Sequence, residues 1–233
     1  AAIAPGARVL AIATRDDAVE LIDLADPPVV TRLIEGASPV RALRFSPDGQ
    51  YLMVAGSQEA RLFDLGTRTE LWSRSKGRVR FDSVAFDLAR GRLALGFGLG
   101  VEIHDLCTGE TLATWNGQKL DATNQGSPFR LDYDPTGRHL AALFRGGLLR
   151  ILDAESGEQV ATARPDLGWM TSDMAWAPDG ASVLTCGRTG EALRLWNGEF
   201  APSDVLTSTS AALYGMALSP DGKVMYLPSL EKS

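Results

Sequence analysis

The sequence predicts an all-β fold in which one four-stranded antiparallel unit repeats along the chain, and three observations carry that expectation. First, a tight turn recurs five times, as "FSPDGQYL" (45–52), "FDLARGRL" (86–93), "YDPTGRHL" (133–140), "WAPDGASV" (176–183) and "LSPDGKVM" (218–225). Its glycines stand at 49, 91, 137, 180 and 222, giving spacings of 42, 46, 43 and 42, and a near-constant period of that size marks a repeat architecture. Second, an apolar or aromatic pair followed by Asp or Asn keeps the same beat: "LIDL" (21–24), "LFDL" (62–65), "IHDL" (103–106), "ILDA" (151–154) and "LWNG" (195–198). Third, no segment of comparable length holds a helical period.

The turn itself has a physical reading. Ser46 can accept a hydrogen bond from the turn backbone, Pro47 fixes φ near −65°, Asp48 tolerates the third position, and Gly49 takes the left-handed conformation that ends the turn. Each copy sits between two short β-prone runs, so it reads as a hairpin. The second unit runs "PVRALRF" (39–45), "QYLMVAG" (50–56), "EARLFDL" (59–65) and "TELWSRS" (69–75). The third repeats this as "RFDSVAF", "RLALGFG", "VEIHDL" and "TLATW", and the fourth as "FRLDY", "HLAALFR", "LLRILD" and "QVATA". The fifth gives "TSDMAW", "SVLTC", "ALRLW" and a weaker "SDVLTST".

Four antiparallel strands in about 42 residues, joined by short turns, are the signature of a β-propeller blade. One meander cannot cover both of its faces, so the array becomes stable only when blades stack on one another. The boundaries read as a partial blade at 7–35, whole blades at 36–75, 76–120, 126–165 and 166–209, and a partial blade at 210–229. At the start the chain reads as opening on a second strand, "RVLAIAT" (8–14), without an innermost one. The strands amount to about five blades, and we expect one propeller domain that is part of a six- to eight-bladed ring in a longer protein.

"VRALRFSPDGQYLMVAGSQEARLFDLGTRTEL" and "MAWAPDGASVLTCGRTGEALRLWNG" resemble the WD-repeat propeller family, and the likeness runs over about residues 7–227. The family's Trp-Asp pair appears here as Phe63-Asp64, His104-Asp105, Leu152-Asp153 and Trp196-Asn197, and its Gly-His pair is missing. The buried Asp–His–Ser/Thr–Trp network of the family is therefore not expected, and apolar packing should hold the blades. Only Asp16 falls where the Asp of that network would lie.

Composition narrows the function. Hydrophobic content of 45% suits a globular core, and a net charge of −6 speaks against wholesale nucleic-acid wrapping. Cys107 and Cys186 read as unpaired thiols in a reducing compartment. No run approaches the roughly 20 apolar residues of a membrane helix. "AAIAPGARVL" lacks the basic start of a signal peptide, so the cytoplasm is the expected compartment.

No reactive constellation appears. His104 takes a packing position, His139 follows a turn, and no zinc spacing, G-x-S-x-G elbow or phosphate-binding glycine loop is present. "LGFGLG" (95–100) joins two strands and reads as a hairpin turn. The turn carboxylates each offer one acid where calcium needs six to eight oxygens. "DLGTRTELW" (64–72) resembles the docking motif of propellers that carry pyrroloquinoline quinone, yet Trp72 and Trp115 read as outer-strand packing. No metal or cofactor is expected.

What remains is a surface. By the family register, Arg15, Gln58, Arg145 and Arg188 fall in turns between second and third strands, and Arg41, Asp82, Phe129, Ser172 and Tyr214 fall at the starts of innermost strands. The resemblance implies that such positions touch a partner. Arg and aromatic side chains are the types enriched in binding hot spots. "RSKGRVR" (74–80) adds Arg74, Lys76, Arg78 and Arg80 to that rim, and "NGQKLDATNQGSP" (116–128) is the longest interruption. The opposite rim carries acids, among them Asp23, Asp48, Asp105 and Asp134. The expectation is a non-catalytic platform for a protein or peptide partner on the Arg-rich rim, or a sensor module of a larger protein with an attached domain. A propeller enzyme of hydrolase, lactonase or quinoprotein type, with a ligand in its central channel, is the alternative.

Overall fold

The computed structural model describes the chain outside residues 36–38, 78, 118–127, 145–146, 164–170, 188–192, 197–201, 208–211, 214, 220–222, 228 and 231–233. Strands β1 (Ala2–Ile3), β2 (Val9–Ala13), β3 (Val19–Asp23) and β4 (Val29–Ile34) form one sheet in chain order. The second sheet holds β5 (Val40–Phe45), β6 (Tyr51–Gly56), β7 (Glu59–Asp64) and β8 (Thr69–Ser75). The third holds β9 (Phe81–Asp87), β10 (Arg92–Phe97), β11 (Gly100–Asp105) and β12 (Thr111–Asn116). The fourth holds β13 (Pro128–Tyr133), β14 (His139–Phe144), β15 (Leu149–Asp153) and β16 (Gln159–Ala163). The fifth holds β17 (Thr171–Trp176), β18 (Val183–Gly187), β19 (Leu193–Trp196) and β20 (Pro202–Thr207). These are the four-stranded antiparallel blades of a β-propeller.

Two short pairs come next, β21 (Ala212–Leu213) with β24 (Ser229–Leu230), and β22 (Ala217–Leu218) with β23 (Met225–Tyr226). Among the described residues, the partial blade expected at 210–229 thus appears as two separate two-stranded pairs.

The start of the chain differs from the sequence expectation. β1 supplies an innermost strand, pairing Ala2 with Ala11 and Ile3 with Leu10. A sixth turn closes it: Ala4 N donates to Val9 O at 2.8 Å and Ala7 N to Ala4 O at 3.0 Å. Ala7 sits at φ 52°, and it stands 42 residues before Gly49. The turn escapes a glycine search because alanine holds the left-handed position, which costs an L-residue energy but is sterically possible.

The other turns form as their residues dictate. Gly49 N donates to Ser46 O at 2.9 Å, Ser46 Oγ accepts from Tyr51 N at 2.9 Å, and Gly49 lies at φ 74°. Ser219 repeats the device, its Oγ accepting from Val224 N at 2.9 Å. Asp134 does so with a carboxylate that accepts from Arg138 N and His139 N. In the prolineless copy, Leu88–Arg90 make one 3₁₀ turn capped by Asp87 and ended by Gly91 at φ 61°.

Contacts divide the chain into two compact units, 1–98 with 102–112 and 99–101 with 113–233. In the first, Ala11, Val19 and Ile34 pack with Phe45, Leu52 and Val54, while Met53, Ala55 and Leu62 pack with Phe81, Leu93 and Leu95. In the second, Leu143, Leu149 and Ile151 pack with Met174, Trp176 and Val183. Neighbouring sheets thus cover each other's faces. Each fully buried aliphatic side chain of this kind is worth about 1.5–3 kcal/mol relative to exposure.

Apolar packing dominates as expected, with one polar remnant. Trp196 Nε1 donates to Thr185 Oγ1 at 3.1 Å, and both residues are buried. The Trp–Thr half of the family network therefore forms without its His. Asp16 is exposed and bonds Thr14 and Arg32 instead.

Candidate functional site

In the first unit, β2–β3 and β6–β7 turn at one end of their sheets, and the repeated glycine turns lie at the other. A methyl placed on Gly49 would meet Pro5 Cδ at 3.6 Å, so the glycine turns of the first two sheets are neighbours. Arg15 stands in the 14–18 turn and Gln58 between β6 and β7. The start of β5 belongs to the same end, because Ser57 N donates to Pro39 O at 3.1 Å and Arg41 Nε reaches Ser57 Oγ at 3.4 Å. Ser75 Oγ, closing β8, donates to Gln58 O at 3.2 Å, and Arg80 comes five residues later.

Arg15, Arg41, Gln58 and Arg80 are all exposed. Among the described residues no carboxylate pairs with Arg15, Arg41 or Arg80. Most other basic groups of this unit are engaged: Arg32 by Asp16 and Glu20, Arg61 by Glu59 and Glu70, Arg92 by Asp87. In the second unit Phe129 is half-buried against the cluster that includes Leu143 and Met174. Arg145, Arg188 and Tyr214 lie outside the described residues, as do Arg78 and most of the 116–128 interruption.

The basic run 74–80 is less free than its sequence suggests. Glu102, 3% exposed on β11, takes Lys76 on Oε1 at 2.6 Å and Arg74 Nη2 on the same oxygen at 3.1 Å. Arg74 Nε reaches Oε2 at 3.3 Å. The Lys76 ammonium also lies 3.6 Å from the centre of the Phe97 ring. Burial pushes the Glu102 carboxyl up, but the Arg74 and Lys76 hydrogen bonds and charges outweigh it and hold the group below the ordinary value.

His104, two residues on, is fully buried. Its Nδ1 is 3.2 Å from Gly109 O, its Nε2 is 3.3 Å from Glu102 Oε2 without hydrogen-bond alignment, and its ring lies tilted against that of Trp72, 5.5 Å between centres. Burial draws its pKa below the usual imidazole value, against the Gly109 hydrogen bond and the Glu102 charge. The repeat pattern does not anticipate this cluster. Its signal is a change of charge along the repeat: two residues before the packing position stand Arg61, Arg150 and Arg194 in the second, fourth and fifth units, but Glu102 in the third and Glu20 in the first.

The carboxylates of the second marker serve the chain itself. Asp64, Asp105 and Asp153 accept backbone N–H groups of Thr67, Thr108 and Ser156 at 2.8–2.9 Å, the Asx-turn device. Those N–H groups hold all three acids below the ordinary carboxylate value. His139 bonds Asp134 at 3.0 Å and stacks on Trp176. Trp72 Nε1 donates to Leu106 O at 2.9 Å, and Arg150 covers Trp115 at 4.8 Å, so both tryptophans are packing groups. Cys107 and Cys186 are free thiols, and burial pushes Cys186 up to about 12. Among the described residues no group of three or more potential metal ligands converges, and no helix is long and apolar enough to cross a membrane.

Comparison with known proteins tracks the repeat. Residues 28–64, which carry β4 to β7 and end on Phe63-Asp64, match the family "WD domain, G-beta repeat". An uncharacterized WD repeat-containing protein of Synechocystis sp. is 25% identical over 164 residues, 69% of this chain and 45% of that protein. The chain thus spans about half the length of that relative. A chain in the crystal structure of the mitotic checkpoint complex superposes with a TM-score of 0.74 at 21% identity, covering 95% of this chain and 68% of that one.

Proposed function

We propose, on the premise that the chain is a WD-repeat-like β-propeller, that it is a non-catalytic platform binding a protein or peptide at the Arg-bearing end of its sheets. One observation carries this reading. Among the described residues the marker carboxylates Asp64, Asp105 and Asp153 are consumed in holding turns, while Arg15, Arg41, Gln58 and Arg80 are exposed. Guanidinium groups without an internal carboxylate are free to make bidentate contacts. The rim as a whole takes in Arg145, Arg188, Phe129 and Tyr214 by the repeat register. A role as the scaffold or sensor module of a longer cytoplasmic polypeptide suits the 45% coverage of the Synechocystis relative.

The test is direct. A partner is recovered by cross-linking in the source cell, purified, and titrated against the wild type and the double variant Arg15→Glu, Arg80→Glu. We expect at least a roughly tenfold loss of affinity, about 1.4 kcal/mol, with little change in Tm. Arg145→Glu with Arg188→Glu should act in the same way. Unchanged affinity in both double variants refutes the rim.

A further inference from the structure

We propose that His104, Glu102, Arg74 and Lys76 form a proton-operated latch on the basic segment 74–80: neutral His104 leaves Glu102 to the two surface cations, and protonated His104 claims it and loosens them. The proposal rests on the rim reading for its use, because it supplies that rim with a regulator. Its physical basis stands apart from any partner.

The geometry points to two forms of one site. Both ring nitrogens of His104 face oxygen acceptors, Gly109 O at 3.2 Å and Glu102 Oε2 at 3.3 Å. A neutral imidazole has one N–H, so it can serve only one of them. The proton on Nδ1 serves Gly109 O, and Nε2 then turns a lone pair toward a carboxylate oxygen, consistent with the absence of hydrogen-bond alignment there. That contact is tolerable because Lys76 and Arg74 draw on the Glu102 charge, Lys76 at Oε1 and Arg74 at both oxygens. Imidazolium would satisfy both oxygens at once. Burial opposes that form, so it should be reached only on acidification.

Mobility decides which contact gives way on protonation. A proton arriving from water on Nε2 makes it a donor to Oε2, the oxygen that Arg74 Nε now approaches at 3.3 Å. One carboxylate would then answer three cations. The His104 side chain is enclosed, at 0% exposure, and cannot swing away, whereas the Arg74 and Lys76 side chains are 39% and 23% exposed. The two that border water are the two that can leave. Among the described residues no further charge is poised to compensate: Asp105, next to His104, turns its carboxylate to Cys107 N and Thr108 N, and Thr111 Oγ1 approaches Nδ1 at 3.4 Å as a neutral group.

Lys76 also anchors the residues immediately after it. Val79 N donates to Lys76 O at 3.2 Å, Gly77 turns the chain at φ 62°, and Val79 lies over the β10–β11 turn, where Gly98 makes room for its Cγ1. Release of the Lys76 ammonium from Glu102 and from the Phe97 ring would therefore free the run that ends at Arg80 on the rim.

The chain has two histidines, so side-chain nitrogen NMR across pH 8 to 5 resolves both, and His104→Gln identifies the signals. His104 should pass from the Nδ1–H tautomer to imidazolium, with a midpoint below the ordinary 6.5 and above acid unfolding. Amide exchange of the described residues in 76–80, measured beside the NMR and corrected for intrinsic pH dependence, should rise roughly tenfold through that midpoint. Lys76→Met, which keeps a stem on Phe97 and removes the charge, should exchange fast at every pH and serves if His104→Gln does not fold. A His104 that stays neutral until the protein unfolds overturns the latch, as does exchange with no inflection at its midpoint. Neither readout uses a partner, so a failed rim assay leaves this test intact.

Discussion

The third and fifth sheets fill one register position, just before the second marker's Asp or Asn, with different polar aromatic rings. Trp196 is 1% exposed and spends its single N–H on Thr185, a hydroxyl on the neighbouring strand of its own sheet. His104 is 0% exposed and has two nitrogens to satisfy, and its surroundings are charged groups drawn partly from the preceding sheet. Phe63 and Leu152 hold the same position with no polar atom. The slot therefore selects for bulk, and any polarity it admits must be met locally. Trp196 achieves that with one hydrogen bond. His104 needs a glycine carbonyl, a carboxylate and two cations.

The contrast between the two sheets breaks most severely at Gly109. This residue lies at φ 72°, and a Cβ on it would come within 2.6 Å of Trp72 Cγ, in the ring that His104 packs against. An indole held by its own hydrogen bond to Leu106 O cannot step aside easily. Gly109→Ala should cost about 2–5 kcal/mol, combining left-handed strain with overpacking. Gly91→Ala, at φ 61° with open space around it, isolates the strain and should cost about 1–2 kcal/mol. Urea denaturation of the pair measures the difference, and equal losses would mean that Trp72 yields.

The fifth sheet is tested next, at Thr185. Thr185→Val keeps the volume and strands the Trp196 N–H in a dry interior, a loss of about 1–3 kcal/mol. In a Trp196→Phe background no donor remains to strand, so the same change should cost less by at least about 0.5 kcal/mol. Identical costs in both backgrounds would show that packing alone accounts for the site.

The same contrast explains what is legible in the sequence. Strand order and the second unit's boundaries can be read to within a residue, because turn chemistry and period-2 patterning are local. "VRALRF" forms β5 and "EARLFD" forms β7. β1 escapes notice because only two of its residues pair and its turn uses Ala7. The Trp196–Thr185 bond escapes because the family motif is recognised by its absent His rather than by the donor that remains. The Glu102 cluster joins residues 28 positions apart across two sheets. No spacing rule reaches that far, and Glu at this repeat position does not mark the place by itself, because Glu20 holds it in the first unit and pairs within its own sheet with Arg32. Sequence can put Arg15 and Gln58 in turns and Arg41 at a strand start, but it cannot tell that Arg74 and Lys76 are already claimed by Glu102.

The smallest effect on stability, and the sharpest on its pH dependence, is expected from His104→Phe, which gives the third sheet the residue of the second. The change forfeits the Nδ1 bond to Gly109 O but removes a buried ring nitrogen and its desolvation cost, so at pH 8 the net change should stay within about 1.5 kcal/mol. The pH profile is another matter. Burial holds the folded pKa of His104 below 6.5, so the unfolded chain binds that proton more readily. Its contribution is therefore present above the unfolded pKa and is lost as pH falls below about 6.5. Glu102, also held low, adds a second loss as pH falls below its ordinary 4.5 toward its folded value. In His104→Phe the first loss should vanish and the second remain, so thermal melts between pH 8 and pH 5 should flatten relative to the wild type. A variant that keeps the wild-type slope in that window would place the titrating group elsewhere and leave the two sheets alike in their response to acid.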